Sequence, residues 1–520
     1  MEVRRESTLH NALCKGVPFW YEGTKIPCSF WLALRNHAYH LRKGKYSPDL
    51  AGGLLCGFAG GSEAGDPGKG PNSMKRNLCI CLILIVLCAA VASPAAAQNR
   101  YIVRTSGGLG SVLKLCLSAN CQVKGALDGP VGKTYLVTSS GNLISNLLGF
   151  VGNLLETLLG IESVEADQLL PLPQAPVTSI PAGLYDNAPV NYYGTIVTHG
   201  YATQPAAQII RLIDAQNGFN VTGSGIVAVI DTGVDIYHPV LYPVLLPGYD
   251  FTRNQPGASE WPDVPQLQPE NSSSGNSEAG QPVLVQQSSA AILDQSSAAI
   301  LDGGGSSYSD FGHGTMTTGL VHLAAPTAKI LPLKAFSANG TGYVSNIVAA
   351  LYYAVQHNAN IVNMSFDVST PSAALSSAIS YANQSGVILV AAAGNGDTSA
   401  AVYPAALNSS VMGVASTSDY DTRSTFSNYG DTDVWIAAPG EYVISTYPGG
   451  TYASASGTSF SSPLVAGSAD LLMSAKPSLN QKNAACAFSH AIQLTPDLNN
   501  GRLDIYQALS AWTNNSGCNK

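Results

Sequence analysis

The stretch Gly225-Ile226-Val227-Ala228-Val229-Ile230-Asp231-Thr232-Gly233 decides how the chain is read. Its apolar run is continuous rather than alternating, which marks a strand covered on both faces, as in parallel sheets. The run ends in a carboxylate and a glycine turn, and in open parallel sheets functional groups sit just beyond the carboxyl ends of the strands. Working outward, further apolar runs at 329–335, 360–364, 387–392 and 411–415 read as buried strands, and 206–217, 344–357 and 371–384 as helices between them. That alternation predicts an α/β fold with a doubly wound, mostly parallel sheet flanked by helices, spanning 201–511.

Two stretches depart from this rhythm. Residues 253–309 are rich in Ser, Pro, Gln and Gly and read as an inserted surface loop, within which 287–294 is repeated unchanged as 295–302. Two copies are too few for a repeat fold. Residues 512–520 read as a tail. Before the large domain, 100–104, 135–138 and 161–167 read as strands and the leucine-rich 142–158 as a helix, predicting a small α+β domain over 98–167. Residues 168–200 follow, with five prolines between 169 and 189, and read as a linker or processing region.

Composition narrows the function. Charged residues are only 11% of the 520, against roughly 25% in average soluble proteins. The net charge of −8 argues against a nucleic-acid partner, which needs a basic footprint. The charge is also uneven: 1–73 carries nine basic and six acidic residues, whereas 168–520 carries nine basic and 22 acidic. Between them, Met74-Lys75-Arg76-Asn77 precedes a 15-residue apolar run (78–92) and Ala95-Ala96-Ala97. A cationic start, a short apolar core and small residues describe a secretory signal peptide at 74–97, and a run of 15 falls short of the ~20 that span a bilayer, so no stable membrane anchor is expected. Because such signals act from an N-terminus, residues 1–73 read as an upstream artefact of start-site choice. After the leader, four cysteines remain, Cys116, Cys121, Cys486 and Cys518, an even count that permits disulfides in an oxidising compartment. A 486–518 link is expected, and a secreted location, extracellular or periplasmic, by way of the signal at 74–97.

Three short motifs carry chemistry. Asp231-Thr232-Gly233 could orient an imidazole; the aspartic-protease reading of the same tripeptide fails because that chemistry shares a proton between two carboxylates and no second such motif occurs. In Phe311-Gly312-His313-Gly314-Thr315, flanking glycines at a loop-to-helix step let His313 project into a cleft, although this motif alone leaves a structural histidine equally open. Gly457-Thr458-Ser459-Phe460-Ser461-Ser462-Pro463 puts Ser459 at a helix N-terminus, where free N–H groups favour a developing oxyanion. A helix cap alone would explain one hydroxyl but not the whole string.

In the order Asp, His, Ser, these contexts closely resemble the subtilisin-like serine proteases, the subtilases, over about 201–509. The resemblance implies a serine endopeptidase acting on polypeptides, with Ser459 as nucleophile, His313 as general base then acid, and Asp231 holding the histidine. Ala391-Ala392-Ala393-Gly394-Asn395 matches the family's oxyanion segment, with Asn395 as donor. The strand from Asn363 resembles the family's substrate strand, so that Ser365, Phe366 and Asp367 face Ala392, Ala393 and Gly394 across the first specificity pocket. Segment 98–167 resembles the family's inhibitory propeptide, which makes the chain a zymogen whose own propeptide is a partner, and a monomer is expected. No cofactor is required. Structural calcium stays open, because a common family ligand position after His238-Pro239 is Val240, which has no oxygen to offer. Met316 and Leu464 replace frequent family histidines, and Phe366-Asp367 stands where the family usually has Leu-Gly, an acid that could favour basic or polar substrate side chains. A degenerate domain used for binding or adhesion is the rival; it would be expected to have lost Asp231, His313, Ser459 or Asn395.

Overall fold

The computed structural model describes residues 99–144, 160–172, 181–264 and 308–514, together with Cys518 and short strands at 20–21, 24–25 and 283–284. Residues 1–94 form a unit of their own, in which Trp20–Tyr21 pairs antiparallel with Thr24–Lys25. The expected leader at 74–97, most of 1–73, the helix beyond residue 144 and the tandem repeat at 287–302 lie outside the described residues.

The second unit is built on an eight-stranded sheet in the order Gln255–Pro256, Tyr249–Asp250, Lys329–Lys334, Ile226–Asp231, Ile361–Met364, Ile388–Ala392, Met412–Thr417 and Ile436–Pro439. All neighbours are parallel except the first pair. Alternate residues of the deciding strand serve the two faces. Val227 and Val229 pack with Met316, Leu320, Leu464 and Val465, on the helices His313–Ala324 and Thr458–Ala475. Ala228 and Ile230 pack with Ile347, Leu351, Leu375 and Ile379, on Val344–Gln356 and Ala373–Gln384. Burial on both faces is why the strand reads as an unbroken apolar run. Truncating a fully buried leucine such as Leu351 to alanine is expected to cost about 2–5 kcal/mol.

Four expectations are corrected. The helix expected over 206–217 is broken into Pro205–Ile209 and Leu212–Phe219, with Arg211 between them in the left-handed region at φ 57°. Residues 168–200 are not a bare linker: Leu169–Pro171 pairs antiparallel with Thr341–Tyr343, and Pro189–Tyr192 forms a hairpin with Thr195–Thr198. Leu184, Tyr192 and Val197 are buried in the main core, so the large domain starts before residue 201. The first part of the inserted loop is likewise core, since Ala258, Glu260 and Val264 are buried. The tail is anchored by fully buried Trp512 and by a Cys486–Cys518 disulfide. Proline and polar content mislead at these places because short elements earn their order from tertiary contacts rather than from local propensity.

The N-terminal part of this unit is a four-stranded antiparallel sheet ordered Cys121–Ala126, Thr134–Ser139, Asn99–Thr105, Ile161–Ala166. The helix Gly108–Ala119 and the strand Cys121–Ala126 are not anticipated in the sequence reading; a Cys116–Cys121 disulfide joins them. Tyr101, Val103, Val112 and Leu115 form its own core.

Candidate active site

The strand Ile226–Asp231 delivers Asp231 to the carboxyl edge of the sheet, where the side chain is almost fully buried. Thr232 N donates to Oδ1 at 2.7 Å and Thr317 Oγ1 donates to Oδ2 at 3.0 Å, so both oxygens are held. Oδ1 lies 2.6 Å from Nδ1 of His313, the first residue of its helix. The two loops meet through glycines: Gly314 N donates to Thr232 Oγ1 at 2.9 Å, and a Cβ on Gly314 would stand 2.0 Å from Gly233 O. No larger residue allows that approach.

Bonding through Nδ1 leaves the other ring nitrogen, Nε2, free to act as a base, and Nε2 is buried with no hydrogen-bond partner among the described residues. Burial alone would push the imidazole pKa down, but the charge and hydrogen bond of Asp231, with Asp310 and Glu260 adding to them, outweigh it and raise the value above that of a free histidine.

Ser459 is the second residue of the helix Thr458–Ala475, and Phe460 beside it packs on the His313 ring with centroids 5.4 Å apart. Pro463, inside the first turns, has no N–H to give Ser459 O. That carbonyl instead accepts Ser365 Oγ at 2.9 Å, while Ser459 Oγ donates to Ser365 O at 3.2 Å. Asn363 locks the arrangement, donating to Ser365 Oγ at 2.9 Å and accepting from Ser462 Oγ at 2.7 Å. The Ser459 hydroxyl is thus turned to Ser365 rather than to His313, and contacts of that kind often form only when substrate binds. Asn395 Oδ1 accepts from Thr458 N at 2.9 Å and from Thr458 Oγ1 at 2.8 Å, which fixes the amide against the N-terminus of the same helix.

The expected pocket residues behave unequally. Phe366 is fully buried against Phe336, at 5.4 Å between centroids, so only its main chain can line a cleft. Ala392 and Ala393 are fully buried as well, whereas Asp367 is partly exposed and sits against Gly394. Val240 lies in the apolar core, and among the described residues no group of three His, Cys, Asp or Glu is arranged to hold a metal ion.

Sequence reading missed Glu260 and Lys334. Glu260 is wholly buried beneath the site: Oε1 accepts from Thr232 Oγ1 at 2.7 Å and Thr315 N at 3.2 Å, and Oε2 from Thr315 Oγ1 at 3.0 Å. Burial pushes its carboxyl up to about 7, against the downward pull of the Thr232 hydrogen bond and the Lys334 charge. Lys334, also buried, donates to Thr232 O at 2.5 Å, Phe336 O at 2.7 Å and Asp263 Oδ2 at 2.7 Å. The available signal was a lysine closing an apolar strand, which requires a buried acceptor. Nothing local marks Glu260.

Comparison with known proteins identifies a family for the large domain. The subtilase family model matches residues 223–505. Thermitase of Thermoactinomyces vulgaris is 34% identical over 296 residues, 55% of this chain and 89% of thermitase. The thermophilic serine proteinase of Bacillus sp. (strain AK1) is 34% identical over 248 residues, 48% of this chain and 52% of that protein. Subtilisin BL of Lederbergia lenta is 39% identical over 176 residues, 32% of this chain and 65% of that protein. The chain therefore spans most of thermitase but less than two thirds of the other two.

Proposed function

The chain belongs to the subtilase family of serine-type endopeptidases, and on that premise we propose that Ser459, His313 and Asp231 hydrolyse peptide bonds through an acyl-enzyme, with Asn395 as oxyanion donor, in a protein secreted as a zymogen. The observation that carries the proposal is the buried Asp231–His313 pair at 2.6 Å, whose second ring nitrogen has no partner among the described residues, beside a serine at a helix N-terminus.

Ser459 Oγ attacks the scissile carbonyl carbon as its proton passes to His313 Nε2. The carbonyl oxygen becomes an oxyanion facing Ser459 N and the Asn395 amide. Collapse breaks the C–N bond, and the amine leaves with the proton from Nε2. Water then enters, gives its proton to Nε2 and attacks the ester, and Ser459 recovers the proton as the acid departs. Asp231 stabilises the imidazolium in both halves and keeps Nδ1 as the donor.

The N-terminal domain is the inhibitory propeptide on this reading. Its Asp167 accepts from Ser345 N at 2.9 Å and Ser345 Oγ at 2.8 Å, at the N-terminus of the helix Val344–Gln356. Glu165 accepts from Ser372 Oγ at 2.6 Å and Ala373 N at 2.8 Å, at the start of Ala373–Gln384. Two carboxylates on two helix N-termini are favourable dockings. The antiparallel pairing of Leu169–Pro171 with Thr341–Tyr343 supports entry of the following chain into the cleft as an added strand. Cleavage within 168–200 then falls between Leu172 and the elements that begin near Pro181.

The test is the intact mass of protein secreted from a Met74 start, wild type against Ser459→Ala. Loss of the N-terminal segment in wild type only is expected. Equal cutting of both would remove self-processing, and an uncut wild type that hydrolyses no peptide would favour the binding-domain rival.

A further inference from the structure

We infer that this protease selects lysine or arginine at the residue before the scissile bond, with Asp367 as the carboxylate that receives the cationic side chain. The inference rests on the assignment of Ser459 as nucleophile.

The place follows from the strands. Ser365 exchanges two hydrogen bonds with Ser459, so the end of the strand Ile361–Met364 abuts the nucleophile. Its parallel neighbour Ile388–Ala392, in register at Met364↔Ala391, runs on through Ala393 and Gly394 to Asn395, against the same helix N-terminus. The crevice between 365–367 and 392–394 therefore opens beside Ser459 at the carboxyl ends of two parallel strands, where such sheets bind ligands. The side chain of a substrate residue whose carbonyl is attacked by Ser459 has this crevice as its neighbour.

Asp367 crosses that crevice. Its Oδ2 lies 2.9 Å from where a Cβ on Gly394 would stand, and Gly394 holds φ 98°. Glycine there leaves room for the carboxylate between the two walls.

Among the described residues the carboxylate has no counter-charge of its own. Asp367 makes no hydrogen bond or ion pair with any described residue. The neighbouring Asn428 amide donates instead to Ala393 O at 2.8 Å. Arg423 is engaged with Asp397 at 2.8 Å and Asp497 at 3.1 Å. Burial alone pushes the Asp367 carboxyl up to about 6. A second carboxylate, Asp433, feels its charge; Asp433 Oδ1 accepts from Val402 N at 3.0 Å, whereas Oδ2 is buried without a partner among the described residues. An ammonium or guanidinium entering the crevice supplies the missing cation, whereas an apolar side chain would leave a half-buried charge unpaired. Discrimination of that kind is large, because the penalty falls on the wrong substrate.

The experiment is a series of peptide anilides differing only in the residue before the anilide (Lys, Arg, Leu, Phe, Glu), assayed on the mature wild type and on Asp367→Asn. Active sites are counted by a fluorophosphonate label at Ser459. In wild type, kcat/KM for Lys and Arg is expected to exceed that for Leu by at least about tenfold, and Glu to be poorest. In Asp367→Asn the Lys-to-Leu ratio falls by a similar factor. Benzamidine, a cationic probe, is expected to inhibit wild type competitively, a readout that does not depend on the variant folding. A labelled wild type that cleaves after Leu as well as after Lys and ignores benzamidine overturns the inference and leaves the protease assignment standing. A wild type that takes no label and cleaves nothing overturns both.

Discussion

Glu260 Oε1 accepts a 2.7 Å hydrogen bond from Thr232 Oγ1, which itself accepts Gly314 N at 2.9 Å. One buried carboxyl thereby joins the residue after Asp231 to the residue after His313. With Thr315 also bonded to Glu260 through its N–H and hydroxyl, the register of the two loops is set from below the pair.

Glu260→Gln keeps a planar partner for both threonines but removes a charge that raises the His313 pKa. Losing that anion makes the imidazolium less favourable, so the acid limb of kcat/KM is expected to move to lower pH with the plateau little changed. Stability should respond as well. The folded carboxyl titrates at about 7, above its unfolded value of 4.5, so its contribution is complete below 4.5 and lost as pH rises through 7. Thermal melts of Glu260→Gln across that window should be flatter than wild type. Glu260→Ala orphans three buried donors, at about 1–3 kcal/mol each, and should lower both kcat and melting temperature. An unmoved acid limb in Glu260→Gln would contradict the link to His313.

Asn395→Asp retains an acceptor for Thr458 but no longer offers an amide donor to the oxyanion. If Asn395 is the oxyanion donor as proposed, a fall in kcat of about 10²–10³ with KM nearly constant is expected, the size that loss of an oxyanion-hole donor has in subtilisin. A variant that raised KM alone would show Asn395 binding substrate rather than the transition state.

Asp167→Ala combined with Glu165→Ala removes the carboxylates at two helix N-termini. At about 0.5–2 kcal/mol per cap, the cleaved segment should dissociate at least about fivefold more readily. The measurement is the lag between cleavage, followed by intact mass, and the appearance of peptidase activity. The double variant should show a shorter lag; an unchanged lag would mean that these contacts do not hold the segment.

The sheet was legible because strands covered on both faces carry continuous apolar runs, as 226–230 and 388–392 do. Asp231, His313, Ser459 and Asn395 stood out as candidates because glycines and a helix start mark the turns that carry them. Glu260 was hidden, since its partners are brought together only by the fold and its loop is polar in composition. The inserted segment hid its buried first residues for the same reason, and Phe366 misled because adjacency to Ser365 does not reveal which face a side chain takes.

The most direct measurement is to treat the secreted mature protein with a fluorophosphonate and locate the adduct by peptide mass spectrometry while following peptidase activity. A single adduct on Ser459, growing in step with the loss of activity and absent from His313→Ala, is the result this account requires. Full inhibition with Ser459 unmodified, or a modified Ser459 with activity intact, would contradict it.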